Sequence, residues 1–222
     1  MRLSIPTCRS GSWLAVQCSC ALEYYACIYG AGCIGRQTVS GDRGTIDCMQ
    51  DRIETERLIL RPFEPSDAEA AFGWFGNPVV MRFTPTGPDK TIAETEARLR
   101  LFIEHQQAHG FSKWLIRDRA SGVAIGDSGL LVLKDYGWVD LGFRLAELYW
   151  GNGLATEVAS AWVRAAFLEL GLTRLGAFAH PENRASTRVL EKLGFNVERR
   201  GIVFGMDSIV FFLNANTAIK SA

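Results

Sequence analysis

Between Lys113 and Leu145 three alternating apolar and polar stretches are separated by short turns, and just beyond them the periodicity becomes helical through a turn carrying two glycines, Tyr149-Trp150-Gly151-Asn152-Gly153-Leu154. The three stretches, Lys113 to Asp118, Val123 to Leu133 and Trp138 to Leu145, are joined by Ala120-Ser121-Gly122 and Lys134-Asp135-Tyr136-Gly137. Links this short force neighbouring strands to pair antiparallel. A meander that feeds a glycine-rich helix start does not belong to a wholly parallel, doubly wound sheet, and it limits the choice of fold more than any other part of the chain.

The flanking segments fit one layered domain. Ile53 to Phe63 reads as an alternating strand ended at Pro62. Ser66 with Glu69, and Thr91 with Glu94, read as capping boxes opening two helices, the second stopping at Gly110. After the glycine turn a helix is predicted from Leu154 to Leu170, with Val158, Trp162, Ala165 and Ala166 at helical spacing and Gly171 as terminator. A strand at Arg174 to Ala179, a helix from Asn183 to Leu193 and strands near Phe195 to Arg199 and Asp207 to Leu213 complete the order. The predicted class is α/β (α+β), a mixed and mostly antiparallel sheet flanked by helices.

A chain of 222 residues suits one such domain plus an appendage. The formal net charge is zero, so the basic footprint of a general nucleic-acid binder is missing. All six cysteines, Cys8, Cys18, Cys20, Cys27, Cys33 and Cys48, precede Met49. The rest of the chain therefore has no disulfide and no cysteine nucleophile. Ser12 to Gly35 is apolar, but Glu23 divides it into runs shorter than the ~20 residues of a membrane-spanning helix. Residues 1–48 are expected to be a leader, poorly ordered or outside the native enzyme, with Met49 as the natural start and 49–222 as the domain.

A strand-to-helix turn with two glycines presents free amides and the positive end of a helix dipole, which suits a pyrophosphate. A dinucleotide site would also need a parallel βαβ unit and an acidic residue closing the next strand. Here that strand ends Phe178-Ala179-His180-Pro181, and the turn lacks the Gly-Lys-Ser/Thr ending of a nucleoside-triphosphate loop.

Trp150-Gly151-Asn152-Gly153-Leu154-Ala155-Thr156-Glu157 resembles the coenzyme A pyrophosphate loop of GNAT acetyltransferases, with Trp150 replacing the usual Arg or Gln. Glu54-Thr55-Glu56-Arg57-Leu58-Ile59-Leu60-Arg61-Pro62, Asn183-Arg184-Ala185-Ser186 and Glu191-Lys192-Leu193-Gly194-Phe195 add to the likeness, and together they resemble the ribosomal-protein alanine N-acetyltransferase branch. The resemblance covers about Ile53 to Leu213. It implies a sheet splayed between its fourth and fifth strands, with the pantetheine arm of acetyl-CoA pairing along Phe143, Arg144 and Leu145, one of whose amides would polarise the thioester carbonyl. It also sets Asn183 against the coenzyme and Ser186 near its sulfur, as the proton donor to the departing thiolate.

Alternation puts Val139, Leu141, Phe143 and Leu145 on a core face, and Asp140, Gly142 and Arg144 on the other. Asp140 is thus free to face a substrate cleft and matches the position where some family members place a general base. A cross-strand salt bridge accounts for it equally well. Glu147 is the alternative base. His105 and His109 lie one helical turn apart without a third ligand, so they read as solvated and no metal is expected. Trp74, Trp114, Trp138 and Trp162 read as core.

The expected activity is acetyl transfer from acetyl-CoA to an amine, either a protein N-terminus or a small molecule, by direct attack in a ternary complex. The expected setting is cytoplasmic, with no membrane partner and a homodimer allowed. A non-catalytic coenzyme A-binding regulatory domain and, further off, a dinucleotide-binding oxidoreductase are the rival readings.

Overall fold

The computed structural model describes residues 51–218; the expected leader and the start at Met49 lie outside them. In chain order the elements are β1 (Ile53–Glu54), β2 (Leu58–Pro62), α1 (Ala68–Phe75), α2 (Ile92–His109), β3 (Lys113–Asp118), β4 (Ala124–Leu133), β5 (Trp138–Leu145), α3 (Leu154–Arg164), β6 (Arg174–Ala179), α4 (Arg184–Lys192), β7 (Asn196–Val203) and β8 (Met206–Asn214). Among the described residues the strands form a single sheet in the order β1-β2-β3-β4-β5-β6-β8-β7. All neighbours are antiparallel except β5 and β6. This is the mixed sheet that the meander requires.

Two apolar layers sandwich the sheet. Trp114, Ile116, Leu130, Leu141 and Leu145 pack with Leu154, Val158 and Trp162 of α3. On the opposite face Leu115, Leu131 and Leu133 pack with Trp74 and Phe75 of α1 and Leu99 and Phe102 of α2. Successive residues of β3 enter opposite layers, as the pleat dictates. Val139 and Phe143 join Leu141 and Leu145 on the α3 side, so the alternation read along β5 holds.

Three local expectations are corrected. Ile53 to Phe63 is not one strand: it folds into a β1–β2 hairpin pairing Ile53 with Leu60. Thr55 turns the chain, its N–H donating to Leu58 O at 2.9 Å and its Oγ1 accepting from the Leu58 N–H at 3.0 Å. The first capping device is Glu64 with Asp67 rather than Ser66 with Glu69: the Glu64 N–H donates to Asp67 Oδ2 at 2.8 Å, and a 3-10 turn over Pro65–Asp67 precedes α1. The later site holds, with Thr91 Oγ1 accepting from the Glu94 N–H and Gly110 closing α2 at φ 76°.

His105 is the third correction, being buried rather than solvated. Its Nδ1 donates to Phe111 O at 2.8 Å and its Nε2 accepts from the Val132 N–H at 3.0 Å. One imidazole thus joins α2, the α2–β3 link and β4. Burial, then neighbouring positive charge from His109, holds its pKa down at about 4. The helix after the glycine turn ends as a π-helical stretch, Ala165–Glu169, and Gly171 follows at φ 63°.

Candidate active site

The seam between β5 and β6 determines where anything can enter the sheet. Every antiparallel neighbour here shares at least two register pairs, whereas β5 and β6 share one, Asp140 with Gly176. Beyond that point the strands diverge. At the closed end a Cβ on Gly176 would run into the Trp138 indole, so a bare backbone there lets the ring wedge the crossing. On its other side β5 pairs with β4 as far as Leu145, and the Ala146 N–H still donates to Ile125 O at 2.8 Å. Since main-chain groups along a strand alternate in direction, Phe143 and Leu145, rather than Arg144, turn theirs toward the open seam. The Leu145 carbonyl accepts from Trp150 Nε1 at 2.8 Å.

Beyond β5 a 3-10 turn over Glu147–Tyr149 leads into the glycine turn. Gly151 and Gly153 have φ of 78° and 77°, left-handed values that only glycine adopts without strain. The reversal leaves the N–H groups of Gly151, Asn152, Gly153, Leu154 and Ala155 without an internal acceptor among the described residues. They stand at the N-terminus of α3, where the helix dipole is positive. The Thr156 N–H is spent on Gly153 O at 3.1 Å, which leaves that residue its hydroxyl. A diphosphate fits this cradle.

Two segments noticed separately in the sequence meet here. Arg57 donates through Nε to Glu157 Oε2 at 2.7 Å and through Nη1 to Asn152 O at 2.9 Å, while the Arg57 N–H and Thr55 Oγ1 bond Glu157 Oε1 at 2.9 and 2.6 Å. Burial alone would raise the Glu157 pKa, but these bonds with Thr55 and Arg57 bring it below the usual carboxylate value. The sequence contains both motifs without showing that one fastens the other.

A cavity of about 810 Å³ runs from this turn through the seam, within the usual size for a small-molecule site. Gly151, Gly153 to Thr156, Phe143 to Leu145, Asn183 and Ser186 line it, as do Tyr149 and Trp150. Asn183 Oδ1 caps α4 by accepting from the Ser186 N–H at 3.2 Å. Asn152 and Glu147 are exposed and lie off the lining.

The far face of the seam holds a buried charge cluster. Asp140 lines the cavity yet is only 6% exposed, so it is enclosed rather than free in an open cleft. Its Oδ1 accepts a long bond from Trp138 Nε1 at 3.5 Å. Lys113 Nζ donates to Gly129 O at 3.0 Å and fills the place where a Cβ on Gly142 would stand, a point 3.9 Å from Asp140 Oδ2. Behind them Asp127 accepts from Trp74 Nε1 at 3.0 Å and Arg144 Nη1 at 2.9 Å. Burial pushes the Asp140 carboxyl up to about 7 against the opposing pull of Lys113, and burial lowers the Lys113 ammonium. Sequence reading passed over Lys113 and Asp127. Their signal was a lysine and a carboxylate set inside otherwise apolar strands.

A splayed mixed sheet, unpaired amides at a helix start and a through-sheet cavity ending at buried carboxylates suit a transferase with a phosphate-bearing, arm-like co-substrate. Residues 57–196 match the family model described as an acetyltransferase (GNAT) domain, and the chain belongs to that family. It is 35% identical over 147 residues to the uncharacterized N-acetyltransferase YoaA of Bacillus subtilis, covering 66% of this chain and 83% of that one. An acetyltransferase of the GNAT family from Bacillus anthracis superposes with a TM-score of 0.65 at 25% identity, over 74% of this chain and 99% of the other. A ribosomal-protein alanine acetyltransferase from Vibrio fischeri shares the fold, with a TM-score of 0.64 at 20% identity over 74% and 97% of the two chains. The protein is an acetyltransferase. Among the described residues no cluster of three or more metal-ligating side chains occurs, and no helix is long and apolar enough to cross a membrane.

Proposed function

We propose that the protein transfers an acetyl group from acetyl-CoA to a primary amine by direct attack in a ternary complex. The observation that carries this reading is the single cavity joining the unpaired amides at the start of α3, on one face of the sheet, to Asp140 on the other. The amides of Gly151 to Ala155 hold the diphosphate, Asn183 lies alongside, and Phe143, with the N–H of Leu145, offers its main chain to the pantetheine arm. The thioester supplies an activated acetyl group.

An alkyl ammonium with a pKa near 10.4 is neutral in only about one part in a thousand at neutral pH. Asp140, with a carboxyl raised by burial, suits the removal of that proton. As the amine nitrogen bonds to the carbonyl carbon, the Phe143 N–H stabilises the developing oxyanion. The carbon–sulfur bond then breaks, the Ser186 hydroxyl gives the departing thiolate its proton, and the second proton of the acetylated nitrogen replaces it on Ser186, so that one proton in all leaves through Asp140. Glu147, exposed and off the cavity, is the less suited of the two proposed bases.

The acceptor is a small-molecule amine or a protein N-terminus; the branch resemblance and the fold shared with the Vibrio fischeri enzyme support the latter. A cytoplasmic setting and a homodimer remain part of this reading. Acetyl-CoA binding by calorimetry, together with thiol release across an amine panel, tests it. Binding without transfer to any amine would favour a regulatory coenzyme A-binding domain, and absence of binding at millimolar acetyl-CoA would end the proposal.

A further inference from the structure

The β7–β8 hairpin turns in two residues, Phe204 and Gly205, between the paired Val203 and Met206. Both carry positive φ, 49° and 74°, and Phe204 is the only non-glycine residue with positive φ among those described. Turns of this kind ordinarily use Asn, Asp or Gly at that position. Phenylalanine brings no local hydrogen bond to offset the strain, so something outside the turn holds it there.

That something is Tyr136, in the β4–β5 turn. The Phe204 N–H donates to Tyr136 Oη at 2.8 Å. The two rings meet edge to face with centroids 4.9 Å apart, and the Phe178 ring lies 5.9 Å from Phe204. Phe178, Phe204 and Met206 line the cavity along with Leu131 and Leu133, on the face of the seam that carries Asp140. Strained residues held by their surroundings concentrate where a surface must have one particular shape. Here the strain aims an aromatic ring at the space an acceptor must occupy.

Asp127 is engaged by Arg144, Asp89 by Arg98, and Asp140 faces Lys113. Each of these buried carboxylates already has a cation, so the enclosed part of this face holds none for a second ammonium group; Glu182, which also lines the cavity, is exposed to solvent.

Resting on the amine-transfer reading above, we propose that Phe204 is a specificity-determining residue and that the acceptor is a primary amine borne on an apolar group rather than a polycation. Tyr136 is the positioning residue that keeps it in place.

The full chain with acetyl-CoA is assayed by thiol release with three acceptors: phenethylamine, ethanolamine and spermidine. Phenethylamine should exceed the other two in kcat/KM by roughly tenfold or more, the scale on which apolar pockets discriminate. Phe204→Gly and Phe204→Asn both tolerate the backbone conformation. Each should bring the ratio toward one through a higher KM for phenethylamine, with acetyl-CoA affinity unchanged by calorimetry. Tyr136→Phe should move the ratio in the same direction by less. Spermidine used as well as phenethylamine by the parent chain, or a ratio unmoved by both Phe204 variants, overturns the inference and leaves amine transfer standing. No turnover of any amine overturns the transfer reading itself.

Discussion

Arg57 and Glu157, a hundred positions apart, form the clasp that fixes the anion cradle: Arg57 Nη2 lies 2.6 Å from Glu157 Oε2 and its Nη1 holds Asn152 O at 2.9 Å. One guanidinium thus ties the β1–β2 hairpin to both the glycine turn and the first turn of α3. An unpaired set of amides is useful only if the loop that carries it stays open, and this clasp keeps it so.

Removing the clasp should affect binding more than folding. Arg57 is partly exposed, and ion pairs of that kind contribute about 1 kcal/mol or less to stability. Arg57→Ala is expected to weaken acetyl-CoA binding roughly tenfold, about 1.4 kcal/mol, with only a slight fall in melting temperature. Arg57→Lys, which lacks the forked geometry, should restore little. Calorimetry beside thermal unfolding separates the two effects.

The glycines should divide by what surrounds them. A Cβ at Gly151 meets nothing within 4 Å, so Gly151→Ala costs only its positive φ, about 1–2 kcal/mol. A Cβ at Gly126 would land on the Arg144 carbonyl oxygen. Gly126→Ala is expected to destabilise the β4–β5 pairing by about 3 kcal/mol or more, and urea unfolding of the two variants ranks them directly.

Asp140 should leave its mark on the pH–rate profile. Its carboxyl titrates at about 7, and only the ionised form accepts a proton, so kcat/KM is expected to rise with pH through that region. Asp140→Asn should lower the rate by roughly a hundredfold or more and flatten that limb. An unchanged profile would remove Asp140 from the mechanism.

His105 should make folding sensitive to mild acid. Its pKa is about 4 in the fold and near 6.5 in an unfolded chain. Between those values the unfolded state binds the extra proton, so the stability from the neutral ring is complete above about pH 6.5 and is lost as pH falls toward 4. At pH 5 the loss is on the order of 2 kcal/mol. Urea unfolding at the two pH values measures it, and His105→Gln should remove this component.

Much of the fold was legible because it rests on local rules. Alternation placed Leu141 and Leu145 in one layer, and Thr91 opened and Gly110 ended α2, each through interactions spanning a few residues. The hairpin at Thr55 escaped, since the polar run Glu54 to Arg57 contains no Gly, Pro, Asn or Asp to mark a turn and the bonds that fix it reach to Glu157. His105 escaped for a related reason: its partners, Phe111 O and Val132 N–H, come from two other elements.

The candidate site divides in the same way. The glycine turn could be read because its chemistry is in the backbone of adjacent residues, where positive φ at Gly151 and Gly153 exposes consecutive amides. The charge cluster of Lys113, Asp127, Asp140 and Arg144 could not, because it assembles across three neighbouring strands and takes its properties from burial. The sequence by itself determined the mixed sheet, the order of its elements and the glycine turn at the start of α3, all encoded by periodicity and short spacing. Only the tertiary structure decided which carboxylate is desolvated, which arginine clasps the loop and which aromatic rings line the cavity, because proximity and dielectric environment arise from packing between residues far apart in the chain.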